Sequence, residues 1–242
     1  LPGSVVEMPE PGPQTALWEV RKAGLNIMMS MKGDGKPVSF IEDCAVPLEH
    51  LADYTQRLTD VFEKHGTRGT WYAHASVGTL HVRPILDMRR EGAAKMRAIA
   101  EEASALVREY KGAYSGEHGD GRLRGEFIPQ MVGEKNYALF KELKRTWDPN
   151  AIFNPGKIVD TAPMDTFLRY EADQQTPDVK TYFRYPDQTV LQHAEQCNGS
   201  GDCRKTHLSG GTMCPSFMAT RNEKDTTRAR ANILREFLTR SP

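Results

Sequence analysis

Apolar residues recur along this chain at two spacings, and each spacing predicts a kind of element. Leu48, Leu51, Tyr54, Leu58, Val61 and Phe62 follow a helical period, with Pro47 placed to open the helix and Gly66 to stop it. Met96, Ile99, Ala103, Leu106 and Tyr110 do the same, with Lys95, Arg97, Glu101 and Glu102 on the other side, and predict a helix over residues 91–110. Trp18, Arg21 and Leu25 share a face of a predicted helix over 15–29. Two further helices are predicted over 135–146 and 224–238. The strand signals lie between them. Residues 37–46 read as one strand, and residues 70–86 as two strands around a tight loop containing Gly78. A short strand then runs into Ser115-Gly116-Glu117-His118-Gly119-Asp120-Gly121. Strand, helix, strand, strand, helix, strand is the order of a split βαβ, ferredoxin-like layer. The expected class is therefore α+β, with an antiparallel sheet carrying helices on one face.

Composition divides the chain. The proline-rich and glycine-rich start makes residues 1–14 a linker, and residues 15–160 hold the α+β domain. Residues 161–190, rich in Asp, Gln, Thr and Pro without a period, form a second linker. Residues 191–242 form a mostly helical second segment. The start at Leu1 shows neither an initiator Met nor a signal pattern, so it reads as the edge of a longer protein. Lys plus Arg number 32 and Asp plus Glu number 32, which gives no electrostatic case for nucleic acid. Mean hydropathy is −0.59. No run of about 18 apolar residues is present, so no transmembrane segment is expected.

The candidate chemistry is in two clusters. His74 and His81 flank the predicted hairpin loop, and alternation along the second strand puts His81 and Arg83 on one face with Leu80 and Val82 on the other. With Glu117 they form a His₂Glu set suited to Zn²⁺ or a similar ion, with a coordination position left for substrate. The alternative is that both histidines are satisfied polar residues at a strand end. His118 is a candidate base, because imidazole titrates near neutral pH, or else a surface-loop histidine. The second cluster is Cys197, Cys203 and Cys214. Three close cysteines without a secretory context favour a metal over disulfides. Cys197 and Cys203 have the spacing of the first and third ligands of a bacterial ferredoxin run, with Ser200 at the second and Cys214-Pro215 at a displaced fourth. A structural zinc site completed by a histidine such as His207 is the competing reading. Cys44 reads as a packed thiol.

Four segments carry a resemblance: Leu17-Trp18-Glu19-Val20-Arg21, the run from Tyr72 to Val82, the run from Ser115 to Gly121, and the run from Asp148 to Lys157 that includes Asn154-Pro155-Gly156-Lys157. In this order they resemble the C-terminal domain of FAD-linked oxidases of the vanillyl-alcohol-oxidase class, of the D-lactate dehydrogenase, glycolate oxidase and D-2-hydroxyglutarate dehydrogenase type. The resemblance implies oxidation of a small D-2-hydroxy acid. His74, His81 and Glu117 would hold a divalent metal, zinc by expectation, that polarises the substrate. His118 would take the hydroxyl proton, and Arg21 would clamp the carboxylate. Asn154 and Lys157 would approach the edge of an FAD bound mainly by an upstream domain. This chain carries no dinucleotide-type glycine loop. Residues 191–242 resemble the start of the iron–sulfur half of large fused dehydrogenases, which implies onward electron transfer through iron–sulfur clusters. There Cys214 would serve a cluster whose other ligands come from outside this chain.

The implied partners are the 2-hydroxy acid and an electron acceptor such as a quinone, cytochrome or flavoprotein. The implied place is the cytoplasm, free or peripheral at the inner membrane face. The loop Ala75-Ser76-Val77-Gly78-Thr79, Ile41 in place of a substrate-facing Lys, and Arg83 in place of a smaller polar residue depart from the family pattern. With Arg122 and Arg124, Arg83 points to a second anionic group on the substrate. The rival functions are a zinc hydrolase using the same His₂Glu set and a non-catalytic electron-transfer module.

Overall fold

The computed structural model describes residues 3, 6–174, 179–209, 211 and 213–240, and within helices it leaves the side chains of Leu25 and Arg240 outside the described residues. The elements run α1 (Pro11–Met29), β1 (Gly35–Pro37), α2 (Leu51–Lys64), β2 (Gly69–His74), β3 (Thr79–Asp87), α3 (Gly92–Glu109), α4 (Ile128–Val132), α5 (Glu134–Trp147), α6 (Val190–Ala194), α7 (Pro215–Thr220) and α8 (Thr227–Arg240). They fall into two compact units. One is residues 34–174; the other joins residues 1–33 to 175–242.

The 34–174 unit is the expected α+β layer. Its sheet has the order β1-β3-β2, antiparallel throughout. Alternation sorts β3 into two faces. Leu80, Val82 and Leu86 enter the core, and Thr79, His81 and Arg83 lie on the opposite side. Tyr54, Leu58 and Phe62 of α2 are fully buried at successive turns, and α3 brings Met96, Ile99, Ala103 and Val107 against the same core. Burying a side chain such as Phe62 contributes about 1.5–3 kcal/mol. Gly78 closes the β2–β3 hairpin at φ +73°, and a Cβ there would lie 2.0 Å from the Val46 carbonyl oxygen, so the turn requires glycine.

Several elements differ from the sequence reading. The strand expected over 37–46 is regular only at Gly35–Pro37. Beyond it Phe40, Ile41, Cys44 and Val46 turn into the core, and pairing survives as isolated bridges from Ala45 to Thr79 and Ala113. The strand expected before Ser115 reduces to that same bridge at Ala113. Pro47 opens a 3₁₀ turn, Leu48–His50, in which Leu48 is exposed, and α2 begins only at Leu51.

Residues 161–174, placed in a linker by composition, lie within the 34–174 unit. Met164 is buried, its amide donates to Glu126 Oε1 at 2.6 Å, and Asp165 takes two contacts from Arg97 at 2.7 and 2.8 Å. Residues 11–13, read as linker, form the first turn of α1, where Pro11 fits because its missing N–H has no helical acceptor to satisfy.

In the unit of residues 1–33 and 175–242, Thr189 and Gln192 form a capping box at the start of α6, whose Leu191 and Ala194 are buried, as is Leu238 of α8. Among the described residues no helix is long and apolar enough to cross a membrane.

Candidate functional site

Hairpin register brings the two histidines together. Tyr72 pairs with His81 and His74 with Thr79, so His74 and His81 are diagonal neighbours on one face of the sheet. Their rings meet edge to face at 5.0 Å between centroids. The glycine-flanked segment after the Ala113 bridge then delivers Glu117. Its Oε1 lies 3.0 Å from His81 Nε2 and 3.7 Å from His74 Nε2. One ligand atom from each of the three residues lies within 4.8 Å of the others, and among the described residues this is the one such group of His, Cys, Asp or Glu. His81 is buried while His74 and Glu117 reach solvent, so the cluster opens to one side. Burial pushes the His81 imidazole below its ordinary value; Glu117 opposes this, and His74 and His118 add to it. His81 Nδ1 is buried with no hydrogen-bond partner.

His118 stacks on His81 at 5.3 Å with the planes 20° apart, which puts a third imidazole beside the candidate metal position. The segment that carries Glu117 and His118 is held by Asp43, a fully buried carboxylate. Asp43 Oδ2 accepts the amide N–H of Glu117 at 2.9 Å, that of His118 at 2.6 Å, and the Ser115 hydroxyl at 3.1 Å. Its other oxygen pairs with Arg124. Burial raises the Asp43 carboxyl, but the Arg124 contact and the two amides outweigh it and hold the group at about 2, against an ordinary 3.8. Gly116 permits the approach, since a Cβ there would sit 2.8 Å from the Asp43 carbonyl oxygen. Asp43 and its neighbour Glu42 are site residues that the sequence reading passed over. The available signal was a carboxylate inside the apolar run from Phe40 to Val46.

The other candidate positions are distributed as follows. Arg124 spends its guanidinium on Asp43 and on the carbonyls of Tyr114 and Gly119, at 3.2 and 2.6 Å, so it braces the loop rather than facing an anionic substrate. Arg83 is buried against Glu42 at 2.5 Å, the Tyr72 hydroxyl at 3.0 Å and Ser39 at 2.8 Å. Arg122 donates to the Thr166 carbonyl at 2.5 Å. Ile41 is fully buried in the core. Asn154, at φ +50°, and Lys157 follow α5 and line an open cavity of about 880 Å³ together with Phe140, Leu143, Trp147 and Phe153. Asp148 shapes that turn by accepting the amides of Ile152 and Phe153 at 2.8 and 2.9 Å.

Arg21 stands on α1, in the unit of residues 1–33 and 175–242, with its guanidinium 5.6 Å over the Trp18 ring. In the same unit Cys203 sits buried in a 3₁₀ turn. Cys214, also buried, precedes α7 and receives a contact from the Thr227 hydroxyl at 3.6 Å. Cys197 is half-buried and, like the other two, forms no disulfide. Cys44 is a fully buried thiol that donates to the Tyr114 carbonyl at 3.3 Å, and burial pushes it up to about 12.

Comparison with known proteins decides the family. The model of the FAD linked oxidases, C-terminal domain, matches residues 3–158. The chain belongs to this family. It is 35% identical over 233 residues to D-2-hydroxyglutarate dehydrogenase of Pseudomonas putida, a match covering 93% of this chain and 22% of that protein. The protein of the same name from Escherichia coli is 35% identical over 231 residues, with 92% of this chain and 22% of the relative covered. The match to glycolate oxidase subunit GlcD of Bacillus subtilis is 28% identical over 145 residues, covering 59% of this chain and 30% of that protein. The chain thus spans about a fifth of the length of the D-2-hydroxyglutarate dehydrogenases it matches. Within the FAD-linked oxidase family, the His₂Glu cluster and His118 lie inside the matched residues, and the three C-terminal cysteines lie beyond them.

Proposed function

We propose that this chain is the substrate-side part of an FAD-dependent dehydrogenase that oxidises a small D-2-hydroxy acid. The observation that carries the reading is the convergence of His74, His81 and Glu117 beside His118, in a domain of the FAD-linked oxidase family.

The residues fit a divalent metal. Two imidazole nitrogens and a carboxylate oxygen lie within 4.8 Å of one another, with His74 and Glu117 exposed, and they match the donor set of a catalytic zinc site. Such an ion, when bound, supplies Lewis-acid polarisation of the substrate's hydroxyl and carboxylate oxygens. His74, His81 and Glu117 would hold it. His118 takes the hydroxyl proton as the α-hydrogen departs with its electron pair, so the alcohol becomes a ketone. FAD, held mainly by another part of the protein, supplies the hydride acceptor. Asn154 and Lys157 would approach its edge and Arg21 would clamp the substrate carboxylate, roles that rest on the family resemblance.

The iron–sulfur reading of Cys197, Cys203 and Cys214 rests on spacing, and it extends the proposal to single-electron transfer toward a quinone, cytochrome or flavoprotein acceptor. The activity is that of a protein free in the cytoplasm or peripheral at the inner membrane face.

A panel of D- and L-2-hydroxy acids, assayed on the complete protein with a dye acceptor, tests the proposal. Turnover confined to D-2-hydroxy acids supports it. Absence of turnover with every 2-hydroxy acid, or hydrolysis of an ester or amide at the same site, overturns it.

A further inference from the structure

His118 can act as a base only if one ring nitrogen keeps its lone pair, and something must decide which one. Its Nδ1 lies 3.2 Å from Glu42 Oε1 and 4.0 Å from Asp43 Oδ2. Both neighbours are carboxylate oxygens, which accept and do not donate when ionised. Asp43 is already committed to Arg124, the Ser115 hydroxyl and two amides, so Glu42 is the group available to the ring. Glu42 is in turn braced. Its second oxygen meets Arg83 Nη2 at 2.5 Å, and Arg83 is fixed by Ser39 at 2.8 Å, by the Tyr72 hydroxyl at 3.0 Å and by lying over the Tyr72 ring. The side chain of Arg83 is 7% exposed and that of Glu42 18% exposed, so neither swings freely in solvent.

We propose that Glu42, braced by Arg83, is the positioning residue of His118: it holds the proton on Nδ1 and leaves Nε2 to accept the substrate's proton. The inference rests on His118 being the base. It reassigns Arg83, whose charge is met by Glu42, from reading an anionic substrate to supporting the histidine. The arrangement is a carboxylate orienting an imidazole, the logic by which a buried acid fixes the tautomer of a catalytic histidine. Glu42 and Asp43, adjacent in sequence, divide the task. Asp43 holds the backbone of residues 117 and 118, and Glu42 holds the ring.

Glu42→Gln is the discriminating substitution because it is isosteric. Arg83 has only donors, so it takes the amide oxygen of Gln and turns the NH₂ toward His118 Nδ1. That nitrogen must then accept, and the proton moves to Nε2. In the complete protein, E42Q is expected to lower kcat about tenfold to a hundredfold, the cost typical of losing an outer partner of an essential histidine. KM is expected to stay within about twofold, because an orienting group acts in the transition state and not in substrate binding, and metal content should match the wild type. Unchanged kcat, or a rise in KM with kcat held, overturns the inference. His118→Ala is assayed in parallel. If that variant keeps full turnover, the base assignment fails; if it loses turnover while E42Q does not, only the role of Glu42 fails. Ring-¹⁵N histidine NMR of the wild-type protein reads the tautomer without any variant: a proton on His118 Nδ1 supports the inference, and a proton on Nε2 overturns it.

Discussion

Replacing Asp43 by Asn removes one charge from the centre of the site and little volume. Asp43 is fully buried and accepts two amides, one hydroxyl and an arginine. Its carboxyl sits at about 2 against an ordinary 3.8. That displacement corresponds to about 2 kcal/mol of folding stability at neutral pH. The sign follows from the depressed value: the contribution is complete above about pH 4, the ordinary carboxylate range, and is lost as pH falls through about 2. Asn also leaves Arg124 buried without its counter-charge, so the full loss at pH 7 should reach about 3–5 kcal/mol, the range for breaking a buried ion pair. Urea unfolding of wild type and D43N between pH 2 and pH 7, followed by circular dichroism, measures it. The difference should be constant above about pH 4 and shrink below. Equal stability at pH 7, or a difference that does not shrink in acid, would refute the reasoning.

His118→Ala should lower kcat about a hundredfold to ten-thousandfold while leaving KM nearly unchanged, whereas Arg21→Ala should raise KM; steady-state kinetics on the complete protein separates the two. Phe62→Ala empties a fully buried position between α2 and the sheet and should cost about 3–5 kcal/mol in urea unfolding, without altering the metal site. Iron and sulfide analysis with EPR on anaerobically purified complete protein should find one ordinary four-iron cluster and one site that is three-iron or has a non-cysteine ligand, because Ser200 stands where a thiolate is expected. Zinc without sulfide would overturn the iron–sulfur reading.

Elements with a strong period were legible in the sequence. The stripes through Tyr54, Leu58 and Phe62 and through Met96, Ile99 and Ala103 are the faces that α2 and α3 bury. His74 and His81 could be placed on one face because Gly78 fixes a tight hairpin, and alternation does the rest. Residues 37–46 misled because apolar content alone does not distinguish a strand from irregular chain wrapped around a buried carboxylate. Glu42 and Asp43 were invisible for a different reason. Asp43 is defined by contacts with Ser115, Glu117, His118 and Arg124, more than 70 residues away in sequence, and no local pattern encodes such contacts. The same distance effect inverted the reading of Arg124, which looked like a reader of anions and instead neutralises an internal one.

The most direct test of the account is metal dependence of 2-hydroxy-acid oxidation. The complete protein is stripped with a chelator, retitrated with Zn²⁺ alongside a His81→Ala variant, and assayed at each addition. The account predicts that wild-type turnover is lost on stripping, returns in proportion to zinc up to one ion per His74–His81–Glu117 site, and never returns in the variant. Full turnover by the stripped wild-type protein, or equal recovery by His81→Ala, would contradict it.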